Sequence, residues 1–126
     1  MQTCIYEKCF PLFGEEITIT ATQLDAGLHV LLSGGHQSHI GAVSICCPGE
    51  AVRTTVLPGH KDDHISARWA QTLCELSGLT CCVVCGIHYD NASAFQIREI
   101  LNHTDLQLHF LTVFLQSSAE AAADNC

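Results

Sequence analysis

Positive charge is scarce in this sequence. Only 5 Lys and Arg residues stand against 13 Asp and Glu, which gives a formal net charge of −8 with neutral histidines. A surface for nucleic acid or for anionic lipid needs clustered basic side chains, because phosphate contacts and counterion release supply most of the affinity. We therefore expect neither nucleic acid nor a membrane to be a partner of this protein.

Long apolar runs and targeting signals are also absent from the sequence. No stretch reaches the ~18 apolar residues that a membrane-spanning helix requires. The N-terminus lacks a basic segment followed by an apolar one, and Cys126 is the last residue rather than the fourth from the end, where prenylation needs it. From these absences we expect a cytoplasmic protein whose thiols stay reduced.

The sequence signatures of common enzyme classes are missing as well. There is no glycine-rich phosphate loop, no dinucleotide-binding fingerprint and no nucleophile elbow. No cysteine lies beside a histidine at a predicted strand-to-helix turn, which is where a thiol nucleophile would be activated. These absences favour a protein that is not an enzyme by itself.

The chain does have enough apolar material for one buried core. It contains 126 residues, of which 48% are hydrophobic, and this length fits one domain. We expect a single domain over residues 1–126, in which the Ala-rich residues 119–126 form a frayed helical tail.

Four segments of the first half have the pattern of β-strands joined by short turns. Residues 17–22 alternate Ile and Thr, as in a half-exposed strand, and residues 28–32 follow after an Asp-Ala-Gly turn. Residues 42–47 and 52–57 are each followed by a Pro-Gly pair. Because the connections are short, we predict an antiparallel meander of four strands.

The second half is predicted to contain three helices and one more strand. The first helix begins at Asp62 or Asp63 and ends before Gly78. Residues 79–87 are apolar except for Thr80, which is typical of a strand buried on both faces.

Two further helices follow this strand in the prediction. The second is capped by Asn91 or Ser93. The third is strongly amphipathic and has its apolar side chains at helical spacing, namely Leu106, Phe110, Val113 and Phe114. The order ββββ-α-β-αα indicates the α+β class, with a mostly antiparallel sheet of about five strands and helices packed on one face.

Nine cysteines are an unusual number for a chain of this length. Cys82 and Cys85 form a C-x-x-C pattern, but an extended strand places them on opposite faces. Cys81 and Cys85 share a face but lie roughly 13 Å apart at ~3.3 Å per residue. We therefore predict that these thiols are small core residues rather than metal ligands or disulfides.

Several histidines lie where predicted elements end. His36 and His39 follow a Gly-Gly pair, His60 leads into the first helix, and His88 ends the apolar strand. Such positions present ligand-binding groups on a rigid scaffold. One alternative stays open here, because His36, His39, His60 and His88 could also serve a small metal-dependent lyase or hydrolase.

Two of the few cations lie near the predicted start of the first helix. Lys61 and Arg68 flank its first turn, and Ser66 lies between them. A helix N-terminus with basic side chains is a plausible site for a phosphate or a carboxylate. The alternative is that both cations are solvated or pair with Asp62, Asp63 or Glu75.

Three motifs at these positions resemble those of a known family. They are Gly34-Gly35-x-x-x-His39-Ile40-Gly41-x-Val43, His60-Lys61-Asp62-x-x-Ile65-Ser66-x-Arg68-x-Ala70 and Gly86-Ile87-His88. In this order and at these intervals they resemble the small D subunit of gallate-type decarboxylases, a family described as prenylated-flavin chaperone-like. The resemblance covers roughly residues 16 to 102.

The resemblance implies a non-catalytic accessory or chaperone-like subunit. Such a subunit would bind FMN or prenylated FMN and support a UbiD-type aromatic acid decarboxylase, whose large subunit is the partner. It also implies a set of cofactor-binding residues, namely Gly35, His39, Gly41, His60, Lys61, Ser66, Arg68 and His88. The element pattern is similar to small proteasome-assembly chaperones, which pair through a sheet and helices, so we expect a homodimer. A purely structural partner protein, with the apolar face of the last helix as its interface, is the third possibility.

Overall fold

The structure is a computed structural model and describes residues 1–58 and 62–124. Residues 1–92 and 93–126 form two compact units, each described by itself below. The predicted α+β class is confirmed: the first unit is built on a six-stranded mixed sheet in the order β1-β2-β3-β6-β4-β5. Its strands are β1 (Thr3–Leu12), β2 (Glu15–Leu24), β3 (Gly27–Gly35), β4 (Ala42–Cys46), β5 (Arg53–Val56) and β6 (Thr80–His88).

The first strand, β1, was not predicted from the sequence. It lacks a clear alternation of apolar and polar residues, and its strand conformation comes from an antiparallel pairing with β2 that has one register shift, between Cys4 and Tyr6. Phe13 and Gly14 join the two strands, and both have positive φ, 51° and 77°. Two such residues form the tight hairpin turn that matches the twist of paired strands.

The predicted four-strand meander is wrong in one respect. Strands β3 and β4 are not neighbours, because β6 lies between them and pairs parallel with β3 and antiparallel with β4. The most apolar strand thus takes a central place, where both of its backbone edges are hydrogen-bonded. Its side chains are not buried on both faces as predicted: Cys81, Val83 and Cys85 are buried, while Cys82 and Val84 are only half-buried.

Helix α1 (Asp63–Ser77) packs on β4 and β6. Ile65, Trp69 and Leu73 are buried on the side that the sequence predicts. The helix ends at Gly78, whose φ of 69° is left-handed and whose N–H donates to the Cys74 carbonyl at 2.9 Å. Asp62 stands at the N-cap, but its side chain makes no capping hydrogen bond.

The second unit consists of one continuous helix, α2 (Ala94–Asp124). The prediction of two separate helices here is wrong, because no Pro or Gly interrupts the chain and Thr104 keeps its helical backbone with its hydroxyl on the Leu101 carbonyl. Ser93 and Gln96 form a reciprocal capping box of 2.9 and 3.1 Å, as predicted for Ser93.

Helix α2 exposes the side chains that give it its amphipathic pattern. The least exposed positions are instead Thr104, Gln107, Leu108 and Leu111. The row of Leu106, Phe110, Val113 and Phe114 is exposed by 36 to 46%. Within residues 1–58 and 62–124, no helix is long and apolar enough to cross a bilayer.

The predicted core role of the cysteines is confirmed for Cys46, Cys74, Cys81 and Cys85 but not for Cys47 and Cys82, which are half-buried. All eight described cysteines are free thiols, and Cys46, Cys74, Cys81 and Cys85 are buried. Cys46 and Cys81 face each other across β4 and β6. Cys4 and Cys9 are exposed, and Cys126 lies outside the described residues.

The thiol of Cys74 makes the free energy of unfolding depend on pH in the alkaline range. Burial, and then its hydrogen bond with the Cys46 thiol, raises the pKa of Cys74 from its usual 9.0 to about 12. As pH rises, the unfolded chain loses the Cys74 proton at a lower pH than the folded protein does. The contribution of Cys74 to the free energy of unfolding is therefore complete below pH 9 and is lost as pH rises towards 12. We expect urea midpoints to fall above pH 9, and to fall less steeply in Cys74→Ala than in the exposed control Cys4→Ala.

Candidate functional site

The site begins where two parallel strands end side by side. Gly35 at the end of β3 is paired with His88 at the end of β6. The chain then turns back, and the N–H of His36 donates to the His88 carbonyl at 2.7 Å. Parallel pairing thus brings together the Gly-Gly and Gly-Ile-His motifs, which are more than fifty residues apart in the sequence.

The motif glycines allow the backbone to approach closely at this point. A Cβ on Gly35, which has a φ of 86°, would lie 2.2 Å from the His88 carbonyl oxygen. A Cβ on Gly86 would lie 1.7 Å from the His39 carbonyl oxygen, and one on Gly41 would lie 2.0 Å from Asp62 Oδ2. These distances are far below van der Waals contact, so residues 36–41 can pack against β6 and Asp62 only if these positions are glycine.

Ser33 on β3 holds the segment of residues 36–41 by hydrogen bonds. Its hydroxyl donates to the Gly86 carbonyl at 2.9 Å and accepts the His39 N–H at 3.1 Å. A single side chain of β3 therefore joins the end of β6 to the histidine segment.

A buried carboxylate lies behind His39. Asp62 is 6% exposed, and its Oδ1 accepts the Ile87 N–H at 3.1 Å. Its Oδ2 lies 3.5 Å from His39 Nε2, while His39 Nδ1 lies 3.1 Å from the Gln37 carbonyl. The imidazole ring thus lies between the Gln37 carbonyl on its Nδ1 side and the Asp62 carboxylate on its Nε2 side, and these two neighbours set its orientation.

The thiol of Cys85 also faces this carboxylate. It donates to Asp62 Oδ1 at 3.8 Å. Burial, and then the negative charge of Asp62, raises the pKa of Cys85 well above its usual value of 9.0. This cysteine is therefore a neutral donor that helps to solvate the carboxylate, and not a nucleophile.

A second cluster joins His36 and His88 through Asp90. The Asp90 N–H donates to His36 Nδ1 at 2.9 Å, and His88 Nε2 lies 2.8 Å from Asp90 Oδ1. His36 Nδ1 therefore accepts, and its Nε2 side points towards Glu15 at 3.9 Å.

Tyr89 anchors this cluster to the β1–β2 hairpin. Its hydroxyl donates to the Leu12 carbonyl at 2.5 Å, and its ring meets those of His36 and Phe13 edge to face. Burial, with Glu15 as a smaller contribution, raises the pKa of Tyr89 above its usual value of 10.0. The tyrosine thus stays neutral and serves to position His36.

A broad open cleft of about 770 Å³ lies beside these histidines. Its walls carry carboxylates, imidazoles, hydroxyls and two apolar side chains; the main lining residues are Glu15, Glu16, Thr18, Leu31, Ser33, Gly35, His36, Ser38, His39 and Ile40. Ile40 and Leu31 expose 56% and 38% of their area. The cleft thus combines apolar side chains with hydrogen-bonding groups, as sites for small ligands commonly do.

The structure brings together only some of the residues that the resemblance implies. Gly35 and His39 line the cleft, and Gly41 and His88 lie next to His39. His60 and Lys61 lie outside the described residues.

Two other residues of that set lie elsewhere. The Ser66 hydroxyl is fully buried and hydrogen-bonded to Ser44 at 2.8 Å, which in turn meets Thr54 at 2.7 Å. Arg68 lines a separate groove of about 600 Å³ along α1 together with Asp63.

Sequence reasoning did not place three polar residues of this candidate site. Asp62 was interpreted as a helix cap or as a partner of a nearby cation, although it belongs to the His-Lys-Asp motif that was itself part of the resemblance. Asp90 and Ser33 had no signal beyond their closeness to His88 and to Gly34. Among the described residues, no group of three or more His, Cys, Asp or Glu is arranged to hold a metal ion.

Comparison with known proteins identifies a family and a similar fold. A family model described as "Prenylated flavin chaperone LpdD-like domain" matches residues 13–113. No curated protein matches the chain. Among solved structures, a chain of a chaperone complex for yeast 20S proteasome assembly has a similar fold, with a TM-score of 0.62 and 14% identity over 90% of this chain and 98% of that one. This likeness in fold confirms the predicted similarity to proteasome-assembly chaperones.

Proposed function

Because this chain belongs to the family of prenylated flavin chaperone LpdD-like domains, we propose that it is a non-catalytic accessory subunit that binds FMN or prenylated FMN. In this proposal it works in the cytoplasm, as a homodimer, and supports a UbiD-type aromatic acid decarboxylase whose large subunit is its partner. The observation that carries the proposal is the histidine-rimmed cleft beside β3.

The size and chemistry of the cleft support a flavin as the ligand. Pockets for small ligands typically measure about 300 to 1,000 Å³ and combine apolar walls with a few placed polar groups. The cleft volume of about 770 Å³ falls in this range. In our proposal the flavin ring lies on Leu31 and Ile40, and Ser38 and the histidines hydrogen-bond its polar edge.

The phosphate of the flavin needs a cation and lies away from Glu15 and Glu16. Lys61 directly precedes Asp62 in the sequence, and Asp62 contacts His39 at the edge of the cleft. We assign the phosphate contact to Lys61, with His60 beside it. The buried hydroxyl of Ser66 contributes by holding α1 against β4 rather than by touching the ligand.

A fluorescence titration tests this proposal. FMN and prenylated FMN are titrated with purified protein, and we expect saturable quenching by the wild type. Ile40→Glu places a carboxylate in the lining of the cleft. The affinity of this variant for FMN should therefore fall at least about tenfold, equivalent to ~1.4 kcal/mol. Leu24→Glu is the matched control. Leu24 is also an exposed apolar residue, but it lies at the end of β2 that is away from the cleft.

The outcomes of this titration separate the alternatives. Equal FMN affinity of Ile40→Glu and Leu24→Glu would show that the flavin does not bind in this cleft. No binding of either flavin by the wild type, together with no complex with a UbiD-type large subunit, would overturn the proposed function as a whole.

A purely structural partner protein is the second candidate. The exposed apolar row on α2, which includes Leu106 and Val113, favours it because such rows commonly mark helix-mediated interfaces. This candidate is distinguished by the same titration, since it requires stable complex formation with the large subunit and no flavin binding.

A further inference from the structure

Three buried thiols meet between the sheet and α1. Cys46 ends β4, Cys74 lies on the buried side of α1, and Cys81 lies opposite Cys46 on β6. All three are free thiols, and each exposes 4% of its area or less. The pairing of Cys46 with Cys81 places this cluster at the end of β6 that is far from His88. The thiol cluster therefore lies apart from the candidate site.

Cys46 and Cys74 are the two thiols of this cluster that contact each other. The thiol of Cys74 is hydrogen-bonded to that of Cys46. Cys81 faces Cys46 across the strands, but its thiol donates to the Leu79 carbonyl at 3.5 Å and lies 3.7 Å from the Ser77 hydroxyl. Two thiols in hydrogen-bond contact need only a small approach of their sulfur atoms to form a disulfide bond. Cys74, and not Cys81, is therefore the partner available to Cys46.

A cavity of about 400 Å³ gives access to this pair. It lies between the turn after β4 and the C-terminal half of α1, and its lining includes Cys46, Cys74, Glu50, Gln71 and Glu75. The two carboxylates repel anionic oxidants such as glutathione disulfide, whereas hydrogen peroxide is small and neutral. A peroxide is therefore the class of oxidant that suits this cavity.

We propose that Cys46 and Cys74 are the site of a reversible disulfide, which hydrogen peroxide forms and low-molecular-weight thiols reduce. Cys46 Sγ attacks one peroxide oxygen, the O–O bond breaks, and the displaced hydroxide leaves as water with the Cys46 proton. Cys74 Sγ then attacks the sulfur of the Cys46 sulfenic acid, the S–O bond breaks, and a second water leaves with the Cys74 proton. Two thiols are thereby oxidised to one disulfide, and one peroxide is reduced to two waters.

The order of the two steps follows from the surroundings of Cys74. Its burial, and then its hydrogen bond with Cys46, raise the pKa of this thiol to about 12, and a thiol attacks as its thiolate. Cys46 therefore reacts with the peroxide first. In the second step Cys74 gives its proton directly to the leaving hydroxyl on the neighbouring sulfur, so a free Cys74 thiolate is not needed.

The disulfide ties α1 to the end of β4. It closes a loop of about 28 residues and so lowers the conformational entropy of the unfolded chain. Transient disulfides that sense oxidants are the kind found in proteins whose thiols otherwise stay reduced. The inference goes beyond the proposed function and does not depend on flavin binding.

The experiment treats the full chain with hydrogen peroxide and compares the wild type with two variants. Cys74→Ala removes one member of the pair. Cys81→Ala is the matched control, because Cys81 is also buried and also faces Cys46. After treatment the remaining thiols are alkylated in denaturant, and linked peptides are identified by tandem mass spectrometry without reduction. The melting temperature is measured before treatment, after treatment and after addition of dithiothreitol.

We expect a link between Cys46 and Cys74 in the wild type and in Cys81→Ala. The melting temperature of both should rise by about 5 °C, and dithiothreitol should reverse the rise. Cys74→Ala should form no such link, and peroxide should not raise its melting temperature.

Two results in the wild type would overturn the inference, and neither depends on how well a variant folds. One is that Cys46 and Cys74 stay open to alkylation at a peroxide dose that oxidises the exposed Cys4 and Cys9. The other is a link from Cys46 to Cys81 in place of Cys74.

Discussion

Replacing Gly86 by alanine is expected to lower the melting temperature by on the order of 10 °C or more and to abolish flavin binding. The added Cβ would lie 1.7 Å from the His39 carbonyl oxygen, which is backbone and cannot rotate away. Residues 36–41 must then leave β6, and the two hydrogen bonds of Ser33 to Gly86 and His39 are lost with them. Lost bonds and exposed surface together cost about 3 kcal/mol or more. Calorimetry and the FMN titration measure the two effects.

Gly49→Ala serves as the control for this substitution. Gly49 has a φ of 78°, and a Cβ there would meet nothing within 4 Å. The control therefore has only the cost of a left-handed conformation, about 1 to 2 kcal/mol, and should bind FMN normally. If Gly86→Ala is as stable as Gly49→Ala, the close approach of residues 36–41 to β6 is wrong.

Replacing Asp62 by alanine is expected to be the second most damaging change. The substitution leaves the Ile87 N–H buried without its acceptor and removes the carboxylate that faces His39. Leaving a buried donor without its acceptor typically costs about 1 to 3 kcal/mol. We expect urea denaturation to show a loss of this size, and FMN affinity to fall because His39 is no longer held in one orientation.

Two further variants separate charge from hydrogen bonding at Asp62. Asp62→Asn keeps an oxygen that can accept the Ile87 N–H, so it should recover more than half of the lost stability while FMN affinity stays reduced. Asp63→Ala changes the adjacent exposed carboxylate and should cost less than about 1 kcal/mol, as expected for a charge at a helix N-terminus. Equal losses in Asp62→Ala and Asp63→Ala would show that the buried carboxylate does not organise the site.

The buried thiols and the buried carboxylate of this protein differ in how they are stabilised. The raised pKa of Cys74 and of Cys85 keeps these thiols neutral inside the core, where a thiolate would be poorly solvated. The carboxylate of Asp62 is equally buried, and its Oδ1 accepts from the Ile87 N–H and from the Cys85 thiol, while its Oδ2 lies 3.5 Å from His39 Nε2. A backbone donor and a neutral thiol thus compensate this buried carboxylate.

Much of the local structure could be predicted from the sequence. Alternating Ile and Thr predict β2, the Gly78 stop predicts the end of α1, and Ser93, one of the two predicted caps, marks the start of α2. Each of these signals works within a few residues, because strand alternation and helix caps depend on neighbouring side chains and backbone groups. Alternation also predicted that Cys82 and Cys85 lie on opposite faces of their strand, and this is confirmed.

The sequence by itself determined the α+β class, the identity of the three motifs and their place at element ends. Only the tertiary structure decided that β6 inserts between β3 and β4, and this insertion brings Gly35 next to His88. The pairing joins residues more than fifty positions apart, and neither segment carries a local signal of its partner. The tertiary structure also decided which motif residues lie at the cleft. The Ser66 hydroxyl is held in the core by Ser44, whereas Asp62, which the sequence marked as a helix cap or a cation partner, is held by the Ile87 N–H with its other oxygen near His39.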